Sequence, residues 1–236
     1  MVKLIDTPGK SLQEIQNGAY FRCFGNIHLS RLLSRVQSLV IKNGYELEKM
    51  VVEHSRRKNI LVNDLDKLLS DQIIPEGLYL AEKKPIRKSN IIEGKGIEPD
   101  FLVLKRDQSS QQCFVIELKD GHEFDTKSSV KEVTNLEEFA SINKDRLHYW
   151  IIHCKIVGIN ATSKNQIMEG FKRKVDEETA MTGLAFCKLL GLRYASIQQQ
   201  RALDQVSNLK EFTDEIYKIK EVRNEICKKS NGSNSI

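Results

Sequence analysis

The sequence lacks the features that would place it in several large classes of protein. Its 236 residues contain no apolar run near the roughly 18 residues of a membrane-spanning helix, and residues 1–6 lack the apolar core of a secretory signal. We therefore expect a cytoplasmic protein with no membrane partner. The sequence has no Gly-rich phosphate loop, Gly-x-Ser-x-Gly elbow or internal repeat, so it does not indicate a P-loop NTPase, an α/β-hydrolase or a repeat protein.

Cysteine is scarce and shows no pairing pattern. The five cysteines are odd in number, far apart and mostly within apolar segments. No cysteine shares a zinc-binding spacing with another cysteine or with a histidine. We expect reduced, structural thiols and no zinc site.

The net charge is mildly positive. Lysine and arginine number 37 against 32 aspartate and glutamate residues, which gives a formal charge of +5. This excess is compatible with a polyanionic partner, but many proteins that bind no polyanion share it. Basic residues cluster within residues 83–95 and 164–174, and these clusters taken alone favour two solvated charged loops. A hydrophobic share of 40% is enough for a large core, so we expect one domain over residues 1–236.

The first part of the chain has helical periodicity. Apolar residues from Leu29 onward recur at three- and four-residue spacings, which predicts a helix to about Gly44. After a break at Asn43-Gly44, a second helical stretch is predicted over residues 47–57. A short helical turn is expected over residues 64–69.

Short apolar runs then predict strands over residues 77–81, 100–105, 113–119 and 148–159. The two middle runs are separated by a polar turn and are almost continuously apolar. They predict a hairpin whose strands are central in a sheet and covered on both faces.

Helices are predicted between and after these strands. Asp125 is placed to cap a helix that begins at Thr126. Another helix is expected over residues 177–190, stopped by Gly191. The inward residues of the helix from Thr126 are expected to be Val130, Val133, Leu136 and Phe139. One apolar face of a C-terminal helix is expected to comprise Leu209, Phe212, Ile216, Ile219, Val222 and Ile226.

Three charged residues stand where the hairpin strands meet. Side chains alternate along a strand, so Glu117 and Lys119 leave the same face of the sheet. Asp100 begins its strand and is therefore expected beside the end of the next one. Two carboxylates ending an apolar strand pair are costly to desolvate without a partner. A hard divalent cation such as Mg²⁺ suits them, because it binds one or two carboxylates together with water and a substrate phosphate.

The pattern by itself has a plainer interpretation. Glu117 and Lys119 would then end a strand in solvent and pair with each other or with Asp100, which contributes little to stability at an exposed site. Pro-Asp followed at a loose distance by Glu-x-Lys also occurs by chance in chains of this length. The surrounding order of a helix, a hairpin, a helix and a strand favours the functional interpretation.

This arrangement resembles the PD-(D/E)XK nuclease superfamily, since Pro99-Asp100 and Glu117-Leu118-Lys119 match its motif without a substitution. The resemblance covers about residues 29–160. It implies an α/β fold with a restriction-endonuclease-like core, in which helices flank a central mixed β-sheet, followed by extra C-terminal helices. It also implies that Asp100 and Glu117 are catalytic metal ligands. Lys119 would be a catalytic group that acts with the general base or positions the attacking water.

A longer segment resembles one particular group within this superfamily. Residues 117–127 run from the motif directly into Phe124-Asp125-Thr126-Lys127, and this is similar to a subset of type II restriction endonucleases. The resemblance implies Mg²⁺-dependent, site-specific hydrolysis of double-stranded DNA that leaves 5′-phosphate ends. A homodimer is expected, because two-fold related active sites most simply cut both strands of a palindromic site.

Two alternatives remain open at this point. One is a repair or recombination nuclease that recognises DNA shape, such as a junction resolvase. The other is a DNA-binding module that keeps a nuclease-like fold without catalysis, although binding alone has no need for two carboxylates facing a polyanion. The helical residues 161–229 are expected to serve recognition or dimerisation, with the catalytic core at 29–160.

Several further residues are candidates. Either Glu46 or Glu48 would supply the helix-borne glutamate that some superfamily members add to the metal site; otherwise both are surface carboxylates. Lys127 lies in the first turn of its helix, where a cation and a helix N-terminus together suit a DNA phosphate. Lys164 and Arg201 are candidate DNA contacts, with ordinary surface positions as the alternative.

Overall fold

A computed structural model of the protein describes residues 3–70, 73–121 and 126–232, without the side chains of residues 126–129 and 230–232. The helices in these ranges are α1 (Leu12–Gln16), α2 (Ala19–Phe24), α3 (Ile27–Arg57), α4 (Leu65–Leu69), α5 (Lys83–Lys88), α6 (Thr126–Ile142), α7 (Lys164–Gly170), α8 (Gly183–Leu189), α9 (Tyr194–Lys218) and α10 (Lys220–Gly232). The strands are β1 (Gly77–Glu82), β2 (Phe101–Arg106), β3 (Gln111–Lys119), β4 (Ile151–Gly158) and β5 (Ala180–Thr182).

The strands form one mixed sheet in the order β1-β2-β3-β4-β5. The first three strands pair antiparallel, and β4 and β5 continue the sheet in parallel pairs. Parallel neighbours need a crossover, and α6 lies between β3 and β4 in the chain. The structure thus confirms the predicted mixed sheet with flanking helices and the predicted hairpin of β2 and β3.

Both faces of the central hairpin are buried, as its apolar runs predict. Leu102 and Val115, which are paired in register, belong to the same buried cluster as Phe139 of α6. The alternate residue Phe101 belongs to the opposite face, and its ring stacks on Phe186 of α8 with centroids 6.3 Å apart. Burial of apolar surface stabilises the folded state by about 25 cal/mol per Å². Burial on both faces therefore favours the central position of the hairpin in the sheet.

The chain folds into two compact units. Leu47–Tyr194 form one unit, which contains the sheet, and Met1–Glu46 together with Ala195–Ile236 form the other. In the second unit Leu4, Leu32 and Leu39 pack with Ile219. The expectation of a single nuclease domain over residues 1–236 stays a prediction. Among the described residues, no helix is both long enough and apolar enough to cross a membrane.

The helical predictions for the N-terminal part need one correction. Helix α3 runs from Ile27 to Arg57 without the break predicted at Asn43-Gly44. A glycine inside a helix costs only about 1 kcal/mol relative to alanine, and the flanking residues continue the helical pattern. The predicted turn at residues 64–69 is confirmed as α4, which Asp64 caps by accepting a hydrogen bond from the backbone N–H of Lys67.

The later elements also differ from the predictions in detail. Residues 180–182 form the strand β5, so the helix predicted over 177–190 is the shorter α8. A three-residue strand is too short to show an alternating pattern. The strand predicted from His148 begins only at Ile151. The predicted C-terminal helix is two helices, α9 and α10, that meet at Ile219.

The predicted inward faces are mostly confirmed. Val133, Leu136 and Phe139 of α6 are buried, whereas Val130 is 42% exposed and was wrongly predicted to face inward. Asp125, the predicted cap of this helix, lies outside the described residues. Phe212, Ile216 and Val222 pack against the core of their unit, but Leu209 and Ile226 are exposed.

Gly44→Ala is expected to raise the free energy of unfolding by roughly 0.5–1 kcal/mol, because alanine restricts the unfolded chain and favours helix. A Cβ at Gly44 would meet no atom within 4 Å. The matched substitution Gly183→Ala is expected to destabilise, since its Cβ would lie 2.3 Å from the Ile159 carbonyl oxygen. Urea unfolding of both variants checks the pair. Destabilisation by Gly44→Ala would contradict the continuous helix.

Candidate active site

Asp100 is a buried carboxylate directly before β2. Its side chain is 4% exposed. The oxygen Oδ2 accepts a hydrogen bond of 2.7 Å from the backbone N–H of Leu118. The other oxygen, Oδ1, contacts the ammonium of Lys83. These two contacts satisfy a charge that would otherwise be costly to bury.

Glu117 and Lys119 end β3 and pair with each other. Lys119 Nζ lies 2.9 Å from Glu117 Oε1 and 2.7 Å from Oε1 of Glu132 on α6. The side chains of Glu117 and Lys119 are 18% and 17% exposed. A lysine held between two carboxylates has a defined position, which a single exposed ion pair would not give it.

The strand register brings these groups together. In the β2–β3 pair Phe101 lies opposite Ile116, so Asp100, one residue earlier, faces Glu117. In the β1–β2 pair Glu82 lies opposite Phe101, and Lys83, the next residue and the first of α5, contacts Asp100. Residues directly opposite in an antiparallel pair share one face of the sheet. The predicted triad of Asp100, Glu117 and Lys119 is therefore assembled on one face.

The cluster perturbs the titration of its members. Burial, together with repulsion from Asp100, raises the pKa of Glu117 above its ordinary value. Burial alone would lower the pKa of Lys119. Attraction to Glu117 and the hydrogen bond to Glu132 outweigh burial, so the pKa of this lysine is raised. Such coupled shifts within one cluster are typical of functional sites.

Glu48, in the C-terminal half of α3, is a further carboxylate of the cluster. Burial raises its pKa to about 7, and the negative charges of Asp100 and Glu117 add to this shift. Lys83 and Lys119 act in the opposite direction. Of the two glutamates considered from sequence, Glu48 thus shares the electrostatic field of the triad, whereas Glu46 belongs to the other compact unit.

Glu48 is expected to make stability fall as pH rises. Its pKa is about 7 in the folded protein against 4.5 for the ordinary group, so between these values the folded protein retains a proton that the unfolded chain releases. Proton binding by the folded state favours folding at the lower pH, and this advantage is lost as pH rises through about 7.

Urea unfolding in EDTA at pH 5 and pH 8 checks this expectation. The variant Glu48→Gln should lose less stability between the two pH values than the wild-type protein. Glu53→Gln, at an exposed position of the same helix, is the control and should behave like the wild type. An identical pH dependence in Glu48→Gln and the wild type would contradict the raised pKa.

The donor atoms of the cluster fit a hard divalent cation. Asp100, Glu117 and Glu48 carry carboxylate oxygens, which Mg²⁺ prefers over sulfur or imidazole ligands. Among the described residues, no group of three or more acidic, histidine or cysteine side chains lies close enough together to hold a metal ion. Mg²⁺ does not require such a group, because it keeps several waters and binds substrate phosphate.

The candidate DNA-binding residues lie on α6, α7 and α9. Lys164 Nζ donates to the Glu177 carbonyl at 2.8 Å and lies 4.0 Å from the Glu177 carboxylate. Arg201 lies on α9 in the other compact unit. Lys127 belongs to α6, and its side chain is not among those described. Their DNA contacts stay predictions.

Two residues of the cluster were not predicted from the sequence to belong to the site. Lys83 belongs to the basic cluster at residues 83–95, and only the register of β1 against β2 places it on Asp100. Glu132 lies on α6, and its contact with Lys119 depends on how that helix packs on the sheet. Neither pairing has a local sequence signal.

The fold and the cluster together define an α/β enzyme rather than a structural protein. The end of the central hairpin is surrounded by four buried or partly buried carboxylates and two lysines, which places costly charges where packing alone would favour apolar residues.

Comparison with known proteins identifies the family. The chain is 38% identical over 218 residues to the type II restriction enzyme HhaII of Haemophilus parahaemolyticus, and the match covers 90% of this chain and 93% of that protein. No family model matches the sequence. No solved structure matches it either. The chain therefore belongs to the type II restriction endonucleases, which are site-specific deoxyribonucleases, and this replaces the alternatives of a repair nuclease and a non-catalytic module.

Proposed function

We propose that this restriction endonuclease is a PD-(D/E)XK enzyme that hydrolyses double-stranded DNA with Mg²⁺, using Asp100, Glu117 and Lys119. The observation that carries the proposal is that Asp100 and Glu117 follow directly on the last β2–β3 pair, Phe101–Ile116, and interact electrostatically, with Lys119 at 2.9 Å from Glu117. A solvated strand end would not bury these charges to this extent.

Asp100 and Glu117 are the proposed ligands of Mg²⁺, and Glu48 is the proposed third carboxylate. When bound, Mg²⁺ supplies Lewis-acid polarisation of the scissile phosphate and a lower pKa for the attacking water. Glu48 has a pKa of about 7, so near neutral pH it is poised to lose its proton when a cation favours the carboxylate.

Lys119 has a distinct role in this proposal. Its ammonium orients the attacking water or stabilises the negative charge that develops on the phosphate. Glu117 and Glu132 both contact Nζ, so the lysine stays charged and keeps its position relative to β3. Charge-assisted hydrogen bonds of this kind are stronger than neutral ones, which limits the freedom of an otherwise flexible side chain.

The proposal extends to assembly and products. A homodimer would place two centres on a palindromic site, one for each strand. Attack of water on the phosphorus, in line with the 3′ oxygen, would break the P–O3′ bond and leave 5′-phosphate ends. Analysis of the product ends would reveal these phosphates. The cytoplasmic location stays a prediction.

Digestion of unmethylated phage DNA tests the proposal. The purified protein with Mg²⁺ should give discrete fragments, and EDTA should abolish them. Ligation and sequencing of the fragments would report the site, the cleavage offset and the 5′-phosphate. Cleavage that persists in EDTA would overturn the metal assignment. Cleavage on one strand of the site alone, at every protein concentration, would overturn the homodimer.

A further inference from the structure

Lys83 lies directly beside the proposed metal ligands. It follows the last residue of β1, which pairs with Phe101, and its ammonium contacts Asp100, the residue before Phe101. Asp100 and Glu117 each lie one residue beyond the last β2–β3 pair, Phe101–Ile116, and interact electrostatically. A lysine and two carboxylates are therefore neighbours where β1, β2 and β3 adjoin, next to Lys119.

The contact of Lys83 occupies the oxygen that a cation would need. The Asp100 carboxylate is almost fully buried, and its oxygen Oδ2 is engaged by the Leu118 N–H at 2.7 Å. The Lys83 ammonium contacts the remaining oxygen, Oδ1. A divalent cation at Oδ1 would repel the ammonium, so the two compete for the same carboxylate.

The exposure and partners of the two lysines indicate that Lys83, rather than Lys119, is free to move to a DNA phosphate. Lys119 is 17% exposed and is held by both Glu117 and Glu132. The Lys83 side chain is 40% exposed. A flexible ammonium with access to solvent, next to a site for a phosphodiester, is suited to bind a phosphate oxygen.

We propose that Lys83 is a further residue of the nuclease centre, whose ammonium holds Asp100 until a divalent cation displaces it onto a DNA phosphate. The inference rests on the proposed role of Asp100 as a metal ligand. It makes metal and DNA binding mutually reinforcing, because the cation frees the ammonium that the phosphate then binds, and such coupling acts equally in both directions.

Metal binding without DNA is the first test. Mn²⁺ is titrated into the protein, and the free ion is followed by its electron paramagnetic resonance signal. Lys83→Gln removes the competing charge and should bind Mn²⁺ about 3- to 10-fold more tightly than the wild type. Lys83→Arg, which keeps the charge, should stay near the wild type. Lys84→Gln, at the exposed neighbouring position on α5, is the matched control and should be unchanged.

DNA binding is the second test. The affinity for a duplex that contains the mapped site is measured in Ca²⁺ as the salt concentration is varied. Loss of one phosphate contact should lower the slope of log K against log salt by about 0.9 in Lys83→Gln, relative to the wild type and Lys84→Gln.

The outcomes separate this inference from the proposed function. If the wild type binds Mn²⁺ and Lys83→Gln binds it equally, the competition is refuted while the metal site stands. If Lys83→Gln binds Mn²⁺ more tightly but keeps the full salt slope, transfer of the ammonium to phosphate is refuted. If Asp100→Asn binds Mn²⁺ as well as the wild type does, the metal assignment itself fails.

Discussion

Asp100→Asn is expected to reduce DNA cleavage by about 10³-fold or more, because asparagine is a much weaker ligand for a hard cation than a carboxylate. Asparagine preserves the shape of the side chain, and its oxygen can still accept the hydrogen bond from Leu118 N–H. The fold should therefore survive while the chemistry is lost. Single-turnover cleavage of a duplex that contains the mapped site measures the effect.

DNA binding by the same variant distinguishes lost chemistry from lost structure. In EDTA, Asp100→Asn should bind DNA as tightly as the wild type or more tightly, since one negative charge facing the polyanion is gone. Asp107→Asn is the matched control: it makes the same chemical change in the turn after β2, where the residue accepts hydrogen bonds from Ser109. If Asp100→Asn cleaves DNA within about tenfold of the wild-type rate, Asp100 is not a catalytic residue.

Lys119→Gln is expected to slow the cleavage step by about 10²- to 10⁴-fold, because a neutral amide supplies less stabilisation to the developing charge than an ammonium. The substitution also leaves Glu117 and Glu132 without the cation that both contact, so their mutual repulsion should disturb the position of Glu117. Single-turnover rates at saturating enzyme measure the chemical step apart from DNA binding.

The control for this variant is Lys105→Gln. Lys105 lies on β2, and its Nζ is 3.6 Å from the exposed carboxylate of Asp107, so it is a strand lysine with an ion pair away from the cluster. Its loss should leave the cleavage rate unchanged, because an exposed pair contributes little. Equal rates for Lys119→Gln and the wild type would assign the water-positioning role to another group.

Much of the fold was predictable from local pattern. The apolar runs at 100–105 and 113–119 predict β2 and β3 because a strand buried on both faces must be apolar throughout. The two-residue alternation likewise places Glu117 and Lys119 on one face, and their contact at 2.9 Å agrees with it. The similarity to HhaII supports the type II restriction endonuclease family, which the segment after the motif suggests.

Other predictions were wrong where longer-range interactions outweigh a local signal. Gly44 suggests a break, yet α3 continues through it, since one glycine costs less than the helical contacts on either side supply. Val130 fits the apolar spacing of α6 but lies nearer the start of that helix and is 42% exposed. The strand β5 is only three residues long, and its pairing with β4 is what makes it a strand.

By itself the sequence determined the strands of the central hairpin, the shared face of Glu117 and Lys119, and the enzyme family. Only the tertiary structure decided which charges join them: Glu48 from α3, Lys83 after β1 and Glu132 from α6. The reason is that alternation along one strand is a local property of the chain. The register between strands and the position of a packed helix depend instead on the burial of apolar side chains far apart in sequence.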